Sequence, residues 1–273
     1  MKRMLVICAA LLLAGCEEKK DEGWLGYGEG DSAMVSAPQA GWVTALNVER
    51  GAQVKQGDVL FVLDSTQQEA SREQATATLE EARAQLKQED ANLTYQRTEL
   101  ARQDNLARFQ AGVPAQRDLA RNNARQSAAR IAQLKAQIGQ MEANLKGAAY
   151  GLSQRRITSQ TQGPVQDIYF RPGEYVPAST PVLSVLPPAN IYARFFVPET
   201  QLPNVRLGQK VRIACDGCQP MTATITFIAA QAEFTPPVIF SVGNREKLVF
   251  KLEARSPGGL KLHPGQPLTV QPL

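Results

Sequence analysis

Leucine recurs every seven residues through the middle of this chain: Leu79, Leu86, Leu93 and Leu100, with Ala107 continuing the series and Ala75 and Ala82 along one flank. A seven-residue spacing lays one narrow apolar seam along a long helix, the pattern of a coiled coil. No Pro or Gly interrupts the run until Gly112-Val113-Pro114, which a helix cannot continue through. A second seam follows at Ile131, Leu134, Ile138, Met141, Leu145, Ala148 and Leu152, at alternating spacings of three and four. Arg, Gln, Lys and Glu fill the other faces. Neither seam is otherwise buried, and so short a connection forces antiparallel neighbours. Residues 65–154 therefore read as a helical hairpin with arms of roughly 40 residues, each about 60 Å long at 1.5 Å per residue. Such a hairpin spans distance and has too little interior for a substrate pocket. Its tip is expected around Arg108 and the following residues to Ala115, where Phe109 and Val113 place apolar side chains at a turn.

The flanks of the hairpin match each other. Val43, Leu46, Val48, Val54 and the run Val59-Leu60-Phe61-Val62-Leu63 are strand-like and punctuated by Gly51 and Gly57. After residue 153 the same texture returns. Gly41 and Gly51 lie ten apart, as do Gly163 and Gly173; Val43 matches Val165, Leu46 matches Ile168, Val48 matches Phe170, Val54 matches Val176, Leu60 matches Val182 and Leu63 matches Val185. Residues 35–64 and 155–187 thus form two related halves of one small β domain, interrupted by the hairpin. Pro187-Pro188 ends it. Residues 188–273 are again β-rich, with strands expected over 192–197, 211–215, 222–228, 248–254 and 268–270, and suit a small antiparallel barrel. The fold class is α+β and elongated: a coiled-coil hairpin inserted in a split β domain, then a barrel.

The first residues speak to compartment. Lys2 and Arg3 precede an apolar run over residues 4–13, about half of what spans a bilayer. Leu13-Ala14-Gly15-Cys16 follows at once and resembles a bacterial lipoprotein signal, which implies removal of residues 1–15 and lipid on Cys16. Residues 16–34, acidic and glycine-bearing, read as a flexible tether. No later segment is apolar enough to cross a membrane. Cys215 and Cys218 then remain as the only thiols, an even pair in an oxidising compartment. The intervening Asp216-Gly217 is a hairpin-turn dipeptide between β runs. A redox Cys-x-x-Cys would open a helix, and a zinc site would need two more ligands. A disulfide closing the turn is expected.

The chemical inventory excludes other classes. The formal net charge is +4 and falls to +2 without Lys2 and Arg3, and no basic run is interleaved with aromatics, so nucleic acid is not a partner. The single His, His263, has no Cys or carboxylate neighbours at ligand spacing, and no phosphate-binding loop is present. No catalytic residue, metal or cofactor is expected. A lipoyl or biotinyl carrier would need an exposed Lys at the turn joining the halves; the hairpin occupies that place, and Lys55 lies inside the first half.

These residues resemble the HlyD family of membrane fusion proteins, the periplasmic adaptors. The split halves look like that family's biotinyl/lipoyl-like domain, and Leu262-His263-Pro264-Gly265-Gln266-Pro267-Leu268-Thr269-Val270 resembles the segment that closes its barrel. Ala232-Glu233-Phe234-Thr235-Pro236-Pro237 looks like the subgroup serving ABC-type exporters. The resemblance implies an adaptor that links an inner-membrane transporter, ABC type favoured, to a TolC-like outer-membrane channel and assembles into a ring, often a hexamer. It implies a periplasmic protein held by lipid, the inner membrane favoured over the outer, with Glu17 after Cys16 leaving both open. The family often extends past the barrel into a membrane-proximal domain, which is expected to be absent here or reduced to the tether. Channel-docking members carry Arg, Leu and Ser near the hairpin tip. Arg102 and Leu106 keep the Arg-to-Leu spacing, while Val113 or Ala115 stands where Ser is expected. The competing reading is a periplasmic scaffold or binding lipoprotein that acts without a pump.

Overall fold

A computed structural model describes residues 23–234 and 248–273. The predicted signal segment, Cys16 and part of the predicted tether lie outside the described residues, as do Thr235, Pro236 and Pro237. Strands β1 (Trp24–Gly30), β2 (Ala33–Ser36), β3 (Gly41–Leu46), β4 (Gln53–Val54) and β5 (Val59–Leu63) lead into helices α1 (Thr66–Arg108) and α2 (Pro114–Ser153). Strands β6 (Arg156–Thr158), β7 (Gly163–Ile168), β8 (Tyr175–Val176) and β9 (Pro181–Val185) follow. The chain then forms β10 (Ile191–Pro198), β11 (Lys210–Ala214), β12 (Met221–Phe234), β13 (Leu248–Arg255) and β14 (Pro267–Pro272). These elements fall into two compact units.

The first unit is a closed barrel of order β1-β10-β13-β12-β11-β14, every pairing antiparallel. Alternate residues point inward, so Phe195, Val197, Val211, Ile213, Ile225, Leu252 and Val270 fill the interior. Strand β1 corrects the tether reading. Residues 24–30 pair with both β10 and β14, Gly26 lying opposite Phe195 and Leu268, and so close the barrel. The glycines that suggested flexibility sit on the tightly packed face of this strand. A methyl group at Gly26 would lie 2.2 Å from the Arg194 carbonyl oxygen, and one at Gly28 would lie 2.7 Å from that of His263. Trp24 heads the same face and stacks on Phe195 at 5.7 Å. The other face is charged: Glu29 and Glu253 flank Arg194 at 2.5 and 2.9 Å. Tyr192 lies beneath Arg255, whose guanidinium carbon sits 3.9 Å from the ring centre. Burial, and then the Glu253 carboxylate, push the Tyr192 hydroxyl up to about 12.

The second unit contains the hairpin and most of the split β domain, whose residues 161–166 and 184–187 fall in the first. Two four-stranded sheets, β6-β5-β3-β8 and β2-β9-β7-β4, each draw strands from both sides of the hairpin. Exchanging every strand for its counterpart in the other half converts one order into the other. The repeat holds in burial: Val43 and Val165 are 1% exposed, and Leu60, Leu63, Val182 and Val185 are fully buried. It holds in hydrogen bonds. Asn47 N–H donates to Leu60 O and Tyr169 N–H to Val182 O, both at 2.8 Å; Gly57 N–H donates to Ser159 O and Ser179 N–H to Ala37 O, again both at 2.8 Å.

The hairpin helices run 43 and 40 residues, about 65 and 60 Å at 1.5 Å per residue. Asp64 starts α1 by accepting from the Thr66 hydroxyl at 2.7 Å and from its N–H at 3.2 Å. Those two bonds, the hydroxyl's first, hold the Asp64 carboxyl below its ordinary value. Pro114 opens α2, where no N–H is needed. Leu79, Leu93, Ile131 and Leu134 are the buried leucines and isoleucine of the seam, with Ala120 and Ala124 nearer the tip. Between the arms, Arg83 pairs with Glu142 at 2.9 Å and Asn92 donates to the Ser127 hydroxyl at 3.1 Å. At the base, Arg155 donates to Ala40 O and its own carbonyl accepts from Leu63 N–H, each at 2.8 Å, which ties the two halves together where the hairpin leaves them.

Candidate functional site: the hairpin tip

The turn between α1 and α2 is residues 109–113, and its geometry is fixed by the backbone. Helix α1 ends with Phe109 as cap. Gln110 takes a left-handed φ of 55°, Gln110 N–H donates to Ala107 O, and Ala111 N–H donates to Leu106 O, both at 3.1 Å. These two crossed bonds are a Schellman motif, with Gln where Gly is usual. Gly112 then passes so close to the helix end that a methyl group there would lie 2.9 Å from Ala107 N. On the far side, Gln116 and Arg117 N–H both donate to Val113 O, at 3.0 and 3.3 Å.

This rigid turn presents apolar surface. Phe109 is 82% exposed and Val113 52%. Leu106 is 40% exposed and sits one turn below Phe109 on the stripe that also holds Arg102. Arg102 pairs with Glu99 at 3.2 Å, and Arg108 is exposed at the helix end. The arms are held at this level by Arg117 and Asp104, 3.7 Å apart. Leu119, in the second turn of α2, is 61% exposed. Sequence reasoning missed it because it looked for apolar residues only in the turn; an apolar residue one position before the seam residue Ala120 was the available signal.

The other singled-out residues lie elsewhere. Cys215 and Cys218 are joined as a disulfide across the β11–β12 turn, their Cα atoms 5.4 Å apart. Gly217 supplies that turn's left-handed φ of 78°. His263 is exposed in the turn before β14, its N–H donating to the Gln266 side chain at 3.0 Å. Lys55 is an exposed turn residue whose N–H donates to Asp58 at 2.8 Å. Among the described residues, no group of three His, Cys, Asp or Glu side chains is placed to hold a metal, and no helix is long and apolar enough to cross a membrane.

No family model matches the chain. It is 32% identical over 144 residues to the UPF0194 membrane protein in the asrC 5' region of Acidithiobacillus ferridurans, covering 51% of this chain and 42% of that relative. It is 31% identical over 179 residues to the macrolide export protein MacA of Escherichia coli O157:H7, covering 64% of this chain and 48% of MacA. The chain spans about half the length of these curated relatives. Its fold is similar to the crystal structure of MacA from Actinobacillus actinomycetemcomitans, with a TM-score of 0.70 at 21% identity over 92% of this chain and 77% of that one. The chain is homologous to MacA over those 179 residues and shares the fold of the MacA crystal structure.

Proposed function

We propose that this homologue of export proteins is itself a periplasmic adaptor, linking an inner-membrane transporter to an outer-membrane channel for efflux or secretion. The observation that carries the reading is the hairpin end: a ring as large as Phe109, 82% exposed, held on a rigid turn at the end of two long arms. Water disfavours such a surface, and a partner that covers it gains roughly 1.5–3 kcal/mol per buried apolar side chain. In this reading Cys16 carries lipid at the inner membrane, and the split domain is biotinyl/lipoyl-like, with the hairpin in place of the carrier turn. The barrel and split domain engage a transporter of the ABC type, which supplies the energy. The copies form a ring, six in the arrangement the resemblance implies, and repeat each weak tip contact around a TolC-like channel.

The test is export. Phe109→Asp and Val113→Asp should fold, mature and bind the transporter normally while export fails; Arg102→Ala and Leu106→Asp should behave likewise. Wild-type export from all four at equal expression would refute a docking tip. Failure of transporter and channel to co-purify with the wild-type chain would favour a scaffold lipoprotein instead.

A further inference from the structure

We infer that the docking surface continues from the turn onto α2 through Leu119, and that it is built to meet an acidic protein surface containing an apolar hollow. The inference rests on the adaptor reading and specifies its contact. Leu106, Phe109, Val113 and Leu119 bring four exposed large apolar side chains into fourteen residues, drawn from both arms and the turn. Leu119 lies five residues into α2, about 8 Å along the helix from Pro114 at 1.5 Å per residue. A partner that touched the turn alone would leave it in water.

Charge sets the chemistry of that partner. Over residues 97–125 the hairpin carries six arginines against three carboxylates, a surplus of three positive charges; over the rest of α1 and α2 it carries six cations against seven carboxylates. All three tip carboxylates are engaged within the hairpin: Glu99 by Arg102 at 3.2 Å, Asp104 by Arg117 at 3.7 Å and Asp118 by Arg121 at 3.6 Å. Arg97, Arg108 and Arg125 are exposed and have no ion-pair partner among the described residues. The positive field is therefore concentrated at the apolar end, where it complements an acidic rim. A rigid turn with fixed carboxylates beside it suits a shaped protein surface better than a fluid anionic bilayer, which would meet those carboxylates as well.

The experiment measures equilibrium binding of the full-length protein to a TolC-like channel purified in detergent, at low and at raised ionic strength, with circular dichroism to confirm helix content. Leu119→Asp should weaken binding at least about tenfold, a loss typical of a central apolar contact, and also flatten the salt dependence, because its carboxylate faces the acidic surface. Leu119→Ala should weaken it less in the same direction. The triple variant Arg97→Gln, Arg108→Gln, Arg125→Gln should weaken binding at low salt and flatten the salt dependence, because screening then has less attraction to remove. Neutralising Arg72, Lys87 and Lys146 in the shaft should do neither. Wild-type binding and salt dependence in both Leu119→Asp and the arginine triple would overturn the inference; if Phe109→Asp still abolished binding, the docking tip would stand without it. Absence of wild-type binding would remove both. Binding to anionic phospholipid vesicles that outcompetes the channel and depends on the same residues would replace the acidic protein with a membrane.

Discussion

Residues 41–63 and 163–185 follow the same path 122 positions apart, and comparing them separates what this fold requires from what it tolerates. Where both halves are buried, both are apolar: Val43 with Val165, Val54 with Val176, Leu60 with Val182, Phe61 with Leu183, Leu63 with Val185. Where the backbone turns left-handed, the halves differ. Gly51 and Gly173 share the conformation at φ 86° and 91°, but Gly57 at φ 92° is answered by Ser179 at φ 61°. Where the surface is open, they diverge further. Trp42 and Tyr175 form an edge-to-face pair with centroids 5.4 Å apart and both rings half exposed, while the equivalent positions hold Pro164 and Gln53. Burial is thus matched closely, turn geometry is matched at a tolerated strain, and exposed aromatic contact is not matched at all.

The largest expected effect tests the buried pairs. Leu60→Ala should cost about 3 kcal/mol, within the 2–5 kcal/mol usual for such truncations, and Val182→Ala about 2 kcal/mol because it removes fewer buried groups. Urea denaturation would measure both; a negligible cost at either site would mean that the two halves do not share one core. A smaller effect separates the turns. Ser179→Gly should stabilise by about 1 kcal/mol by relieving a side chain held at positive φ, and Gly57→Ser should cost a similar amount, read as opposite shifts in thermal midpoint. Equal signs would break the comparison. The smallest effect belongs to the surface pair. A double-mutant cycle on Trp42→Ala and Tyr175→Ala should give a coupling of about 0.5 kcal/mol, the low end for aromatic pairs; a coupling above about 2 kcal/mol would make the pair structural.

The same distinction explains what was legible in the sequence. The heptad leucines and the matched aliphatic positions are selected by burial, so their periods stand in the sequence and point to the hairpin and the two halves. Burial does not mark β1 in this way. Gly26 and Gly28 are there because neighbouring backbone and side chains leave no room, and glycine chosen for tight packing has the same letter as glycine in a flexible linker. Only the pairing partners, more than 160 residues later, reveal the strand. At the tip, Gly112-Val113-Pro114 located the turn, but the left-handed Gln110 carries no sequence signal. Leu119 was hidden beside the seam, where an apolar residue passes for a core position.

Strand β1 also bears on the order in which the molecule can assemble. The α1–α2 contacts nearest the turn join residues close in sequence and can form within microseconds once both arms exist. Barrel closure needs β1 beside β14, with Trp24 opposite Val270, a pairing that carries the largest loop-closure entropy among the described strands and belongs to the slow class of non-local β contacts. Until β1 docks between them, β10 and β14 expose unpaired edges to any passing strand. The barrel is therefore the segment most exposed to misassembly during folding, and the glycine-rich stretch near its beginning is the piece that ends that exposure.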